Sequence, residues 1–143
     1  MPNANTHDLI TVISSPIVIG FSYYITEDIK TTSIIFICFL FASFMFNGDL
    51  DIVSRPYNRW WVFKMIWIPY QIMFEHRSVF THGIIIGTIV RLIYVGIIPL
   101  GLIYLKNGNF DIILNYLTWN EIFFIVLGLE LGSSVHTISD KIF

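Results

Sequence analysis

The chain has 143 residues, 55% of them hydrophobic and 13% charged, with a formal net charge of −2. A soluble domain is about one quarter charged, so lipid is expected to solvate much of this surface. No basic run invites nucleic acid, and the single Cys38 excludes both a disulfide framework and a cysteine-based zinc ribbon.

The length fits one domain over residues 1–143. Met1 to Asp8 carries no Lys or Arg ahead of the first apolar segment, so no secretory leader is expected. His7 and Asp8 precede that segment, Ile10 to Thr26, and a second runs from Thr31 to Phe46. Both are short for the roughly 20 residues of a spanning helix, and Glu27, Asp28 and Lys30 between them predict a helical hairpin. Asn47-Gly48 then signals a helix end. Asp49 and Asp51 follow in a stretch expected to be extended, where two carboxylates two apart point the same way and suit a shared cation. Alone, such a pair is more often a solvated loop.

Trp60 to Phe74 is rich in aromatics but contains Lys64, Pro69 and Gln71. At about 15 residues it is short for a crossing, and Trp60, Trp61, Trp67 and Tyr70 are residue types of the headgroup layer. It reads as an amphipathic helix lying in the interface, with a fifth crossing as the alternative. Next come Glu75, His76, Arg77 and His82. A cap from Ser78 or Thr81 sets His82 in the first turn of the third apolar helix. There the helix dipole keeps an imidazole neutral, as a metal ligand must be.

That third helix runs from Gly83 to Leu105 and contains Arg91 and Pro99; the fourth runs from Thr118 to about Ile138. Near its end stand Ser133, Ser134 and His136, with Asp140 four residues on and on the same helical face. Glu130 lies about 9 Å deeper along the axis, where a carboxylate is costly without a partner. It is expected to pair with Arg91, or to serve as a ligand or general base. Gly83 with Gly87, and Gly128 with Gly132, are small-xxx-small patterns that predict close packing of helices three and four.

The expected fold is therefore all-α, a membrane bundle of four spanning helices plus one interfacial helix. Four crossings return every polar island to one face. That face collects His7, Asp8, Asp49, Asp51, His76, His82, His136 and Asp140, a set of imidazoles and carboxylates suited to zinc or a related divalent ion, one to three in number. The same face holds Arg55, Arg59, Lys64, Arg77 and Lys141, against Lys30 and Lys106 opposite, which puts it on the cytoplasmic side. The host is expected to be a plasma, inner or thylakoid membrane.

These residues stand in a familiar order. His7-Asp8 is followed by Asn47-Gly48-Asp49-Leu50-Asp51, Arg59-Trp60-Trp61 and Ile66-Trp67-Ile68-Pro69-Tyr70-Gln71. Then come His76-Arg77-Ser78, Thr81-His82-Gly83, Gly87-Thr88 with Arg91, and Gly128-Leu129-Glu130-Leu131-Gly132 with His136 and Asp140. The set resembles, over nearly the whole chain, a family of small uncharacterised metal-binding membrane proteins found largely in cyanobacteria. Asn5-Thr6 departs from it, since relatives are expected to carry Gly or Arg before His7-Asp8. More distantly, the two histidines around Arg77 and the Asp-x-Asp pair look like those of the bacterial membrane-bound metal-dependent hydrolases. Those resemble zinc-dependent phospholipase C and single-strand nucleases, whose helical His-x-x-x-Asp element His136 and Asp140 match.

Two functions compete. One is a metal-dependent hydrolase of a phosphoester, such as a phospholipid headgroup, with Arg77 gripping the phosphate and Glu130 as general base. The other is a non-catalytic ion tying helix ends together in a closed site. Transport is the weakest reading, because it wants broken helices meeting at the midplane.

Overall fold

The computed structural model describes residues 4–142; Met1 to Asn3, part of the stretch read for a leader, and Phe143 lie outside the described residues. Helix α1 covers Ala4–Thr26, α2 Ile29–Met45, α3 Arg55–Arg59, α4 Trp67–Met73, α5 Val79–His82, α6 Ile86–Asn107, α7 Asp111–Leu114 and α8 Trp119–Ile142. Tight 3-10 turns occupy Gly48–Asp51 and Trp61–Ile66, and no strand occurs among the described residues. The architecture is thus all-α. Helices α1, α6 and α8, and α2 taken with the 3-10 turn that follows it (Ile29–Asp51), are long and apolar enough to cross a membrane. Where no water reaches the backbone, a helix satisfies its N–H and C=O groups within the one segment.

Polar residues punctuate these helices. Asp28 caps α2 by accepting from the Thr31 backbone N–H (2.7 Å) and hydroxyl (2.6 Å), which makes the α1–α2 connection a tight hairpin. Thr118 and Glu121 form a reciprocal capping box at the start of α8. Gly108, at φ 74°, ends α6 in the left-handed conformation.

Several expected boundaries shift. Helix α1 begins at Ala4, so His7 and Asp8 sit on the helix and not ahead of it. Contacts of His7 with the end of α8 accompany this longer start. Asn47 accepts from the Asp49 N–H and donates to the Ser43 carbonyl, folding Gly48–Asp51 into a turn where an extended stretch was expected. The expected interfacial helix, Trp60 to Phe74, is broken: a 3-10 stretch and α4 replace it, and its longest α-helical piece has seven residues. That is far short of a crossing, which removes the fifth-span alternative. The segment is still two-faced, with Trp67 and Tyr70 fully buried while Trp61, Phe63, Met65 and Ile72 are exposed.

The tight helix pair is α2–α8, not the expected third and fourth spanning helices. A Cβ added at Gly128 would stand 2.7 Å from the Cys38 Cβ, and one at Gly132 would stand 2.8 Å from the Ser43 backbone N. These glycines let two backbones touch. Lys30 on α2 meets Glu121 on α8 at one end of the bundle (2.6 Å), so the two helices run parallel, and α1 and α6 run against them. At the other end Trp67 is packed among Phe46, Trp60, Tyr70 and Tyr94, with ring centroids 5.2–5.8 Å away. This aromatic plug closes the core below the polar end.

Candidate metal centre

The start of α1, the turn after α2, the α5 turn and the end of α8 meet at one end of the bundle. They bring seven of the eight expected ligand residues into a continuous network. His136 Nε2 lies 3.3 Å from Asp49 Oδ2 and 3.5 Å from Asp140 Oδ2. His82 Nε2 lies 3.5 Å from Asp49 Oδ1 and 3.9 Å from Asp140 Oδ2. One donor atom from each of these four residues lies within 4.8 Å of all the others. An ion held tetrahedrally by N and O ligands at about 2.0–2.2 Å has donor–donor edges of about 3.3–3.6 Å; three of these four contacts fall in that range, and the fourth, at 3.9 Å, lies just beyond it.

Hydrogen bonding supplies an independent test. Asp49 Oδ1, His82 Nε2, His136 Nε2 and Asp140 Oδ2 are buried without a hydrogen-bond partner among the described residues. A buried polar atom left unpaired costs about 1–3 kcal/mol, and two facing carboxylates add repulsion. One divalent cation would satisfy all four atoms together. The other such atoms, Trp67 Nε1, the Tyr70 hydroxyl and Arg91 Nε, belong to the aromatic plug and its border.

Asp51, His76 and His82 form a second group of potential ligands. Its atoms are satisfied internally. His76 Nδ1 lies 2.9 Å from Asp51 Oδ1, and the Arg77 N–H donates to Asp51 Oδ2 at 3.2 Å. With a metal held at Nε2, the one remaining His82 ring proton would sit on Nδ1, where Thr81 Oγ1 is 3.0 Å away and Asp51 Oδ2 is 3.5 Å away. Partners of this kind fix the ring and tautomer of a metal-ligating histidine. The expectation that Asp49 and Asp51 share one cation is corrected: the turn sends them to opposite sides of His82.

His82 itself closes the α5 turn and does not open the third long helix; Gly83, Ile84 and Ile85 separate it from α6. The dipole argument for a neutral ring therefore fails. Burial opposes its charged form, but Asp49 and Asp51 outweigh burial and push its pKa up to about 9. A cation held at His82 would replace that proton.

His7 packs against His136 in a tilted ring contact, with centroids 4.3 Å apart, and bridges Ser139 (Nδ1–Oγ 2.6 Å) and Asp140 (Nε2–Oδ1 3.3 Å). It occupies one oxygen of Asp140 and leaves the other facing the four-donor group. Asp8 is drawn away. Both of its oxygens accept from Arg59 (2.7 and 3.2 Å), and one also accepts from Arg55 (2.9 Å). It joins neither donor group.

Glu130 makes no pair with Arg91 and lies outside both donor groups. Its Oε1 accepts from the Ile85 N–H (2.9 Å) and the Ser134 hydroxyl (2.7 Å), anchoring the start of α6, where Ile85 has φ 69°. Arg91, fully buried, donates to the Thr81 carbonyl (2.6 Å), Thr88 Oγ1 (3.1 Å) and Ser133 Oγ (2.6 Å), so no Arg91–Glu130 pair forms. Sequence reasoning overlooked Ser139 as a partner of His7, and it read Thr81 as a helix cap, not as the partner of His82. Each directly precedes a ligand residue, and that adjacency was their only signal.

Two cavities reach the four donors. One, about 150 Å³, is lined by His7, Asp49, His136 and Asp140 with Arg55 and Arg59 at its side. The other, about 160 Å³, is lined by Arg77, His82, Thr137, Asp140 and Lys141. A water needs about 10–15 Å³ by this measure, so each admits several.

Fold and site together define a helical protein with spans able to cross a membrane and an acid–imidazole centre fit for a divalent ion at one end. The chain belongs to the family described as "Uncharacterized metal-binding protein (DUF2227)", whose profile matches residues 2–143. It is similar to an uncharacterised protein of Aquifex aeolicus (strain VF5), 30% identical over 121 residues, covering 71% of this chain and 84% of that protein. No solved structure matches. Neither description speaks of hydrolysis.

Proposed function

We propose that this protein is a metal-dependent hydrolase of the membrane surface, with one divalent ion, zinc foremost, held by Asp49, His82, His136 and Asp140. The reading is carried by four buried, partnerless donor atoms gathered at one point. Two imidazoles and two carboxylates suit zinc, and the carboxylates balance its charge. An ion that only ties helices together has its coordination closed by protein. Here cavities meet the donors from two sides, which favours a working centre.

A bound ion supplies Lewis acidity toward an ester. The chain's own residues do the rest. Thr81 and Asp51 hold His82, and His7 holds Asp140. His7 also lines a cavity without being one of the four donors, so it is placed to pass a proton between that cavity and Asp140. The excess of Arg and Lys at this end favours the cytoplasmic side of a plasma, inner or thylakoid membrane.

Metal analysis of the detergent-purified chain tests the reading. About one zinc per chain, brought near zero by His136→Ala, together with zinc-dependent cleavage of an ester from a broad panel, is the expected result. Protein that takes up no metal overturns it. Fully loaded protein that cleaves nothing overturns the hydrolase and leaves a structural ion.

A further inference from the structure

The two cavities at the centre differ in charge. In the first, Arg55 and Arg59 are both engaged by Asp8, and the carboxylates of Asp49 and Asp140 share the wall. That cavity suits the entry of a cation. In the second, Asp140 is the one carboxylate on the wall, facing Arg77 and Lys141. Neither the Arg77 guanidinium nor the Lys141 ammonium has a hydrogen-bond or salt-bridge partner among the described residues.

Arg77 is set in place by its backbone. Its φ of 62° lies in the left-handed region, which a non-glycine residue enters at a cost and which recurs where function demands it. The bond from its N–H to Asp51 Oδ2 accompanies that turn, and Asp51 faces His82 Nδ1 as well. The carboxylate that orients a metal ligand therefore also fixes the residue carrying the free guanidinium.

We propose that the cavity of Arg77 and Lys141 is the subsite for a phosphate group, so that the ester cleaved at the centre is a phosphoester. The inference rests on the metal-centre reading above. A guanidinium presents two parallel N–H donors to phosphate oxygens, and a lysine adds a mobile point charge. The wall shared with His82 and Asp140 puts the bound phosphate beside the four donors. The phosphate belongs either to a soluble ester or to a lipid headgroup. Val79 and Phe80, just beyond Arg77, and Ile142, next to Lys141, are exposed apolar residues that bring the cavity close to lipid.

The test is titration of the zinc-loaded full chain in detergent with inorganic phosphate, with zinc content measured on the same samples. Arg77→Gln and Lys141→Gln are each expected to weaken phosphate binding about tenfold or more at unchanged zinc content. Arg77→Lys, which keeps the charge and loses the fork, is expected to fall between. Both side chains are exposed, so the fold withstands their loss. Loaded wild-type protein that ignores phosphate, or variants that bind it as tightly as wild type, overturn the subsite and leave the metal centre standing. Protein without zinc overturns the centre first. Competition by phosphatidic acid vesicles, and not by a soluble phosphomonoester, supports the subsite and identifies a headgroup; the reverse supports it and identifies a soluble ester.

Discussion

Two groups of acids and imidazoles flank His82, built from the same residue types and separated by a single ring. Around Asp49, His136 and Asp140, each residue presents a buried atom with no partner; around Asp51 and His76, the same kinds of atoms are bonded to one another and to the Arg77 N–H. Proximity alone does not separate a ligand from the residue that positions it. Satisfaction does. A donor already engaged in a hydrogen bond gains little from a cation, whereas a buried, unpaired one gains the whole of its lost hydration.

The largest effect that tests this contrast sets Asp140→Asn against Asp51→Asn. A four-ligand zinc site is worth about 10–16 kcal/mol, so one ligand accounts for about 3 kcal/mol, more than a hundredfold in affinity. Asp140→Asn is expected to lose at least that much in a competitive zinc titration. Asp51→Asn leaves the four donors in place and slackens His82, which costs about 10–100-fold. Equal losses in the two variants would mean that Asp51 is itself a ligand and that the contrast is false.

A smaller effect follows from His82, whose pKa stands near 9 without metal. Zinc displaces that proton, so affinity is expected to rise with pH by up to about tenfold per unit and to level off above about 9. The raised value also bears on stability. Metal-free protein carries the full contribution of charged His82 below about pH 6.5 and loses it as pH climbs toward 9. Thermal unfolding of metal-free protein should show that decline, and zinc-loaded protein should not.

Much of the fold was legible in the sequence because lipid enforces simple rules. Apolar runs became α1, α2, α6 and α8, and Asp28 and Thr118 marked the starts of α2 and α8. The parity of four crossings brought the histidines to one end. Which helices touch was not legible. The Gly128–Gly132 face announces a close neighbour, but Cys38, Ala42 and Ser43, the small side of α2, were hidden inside an apolar run. The roles of Asp49 and Asp51 were hidden for a geometric reason. An extended strand points residues two apart the same way, whereas a 3-10 turn rotates each residue by about 120° and sends them apart. Glu130 misled because a deep carboxylate suggested the deep Arg91, while an N–H freed at Ile85 and the hydroxyl of Ser134 were closer at hand.

The smallest expected effect concerns Asp8. On sequence it ranked with the ligands, and it still borders a cavity of the centre. Its oxygens, however, answer Arg55 and Arg59. These side chains are each about a third exposed, with relative accessibilities of 29–42%, so water screens the pairs and Asp8→Asn is expected to cost about 1 kcal/mol or less in stability. Zinc affinity should stay within about threefold, the residual effect of one screened charge several ångströms from the ion. If Asp8→Asn instead empties the centre of zinc, Asp8 turns from the arginines to the metal when the ion arrives. The boundary between ligand and support would then have to be redrawn through α1.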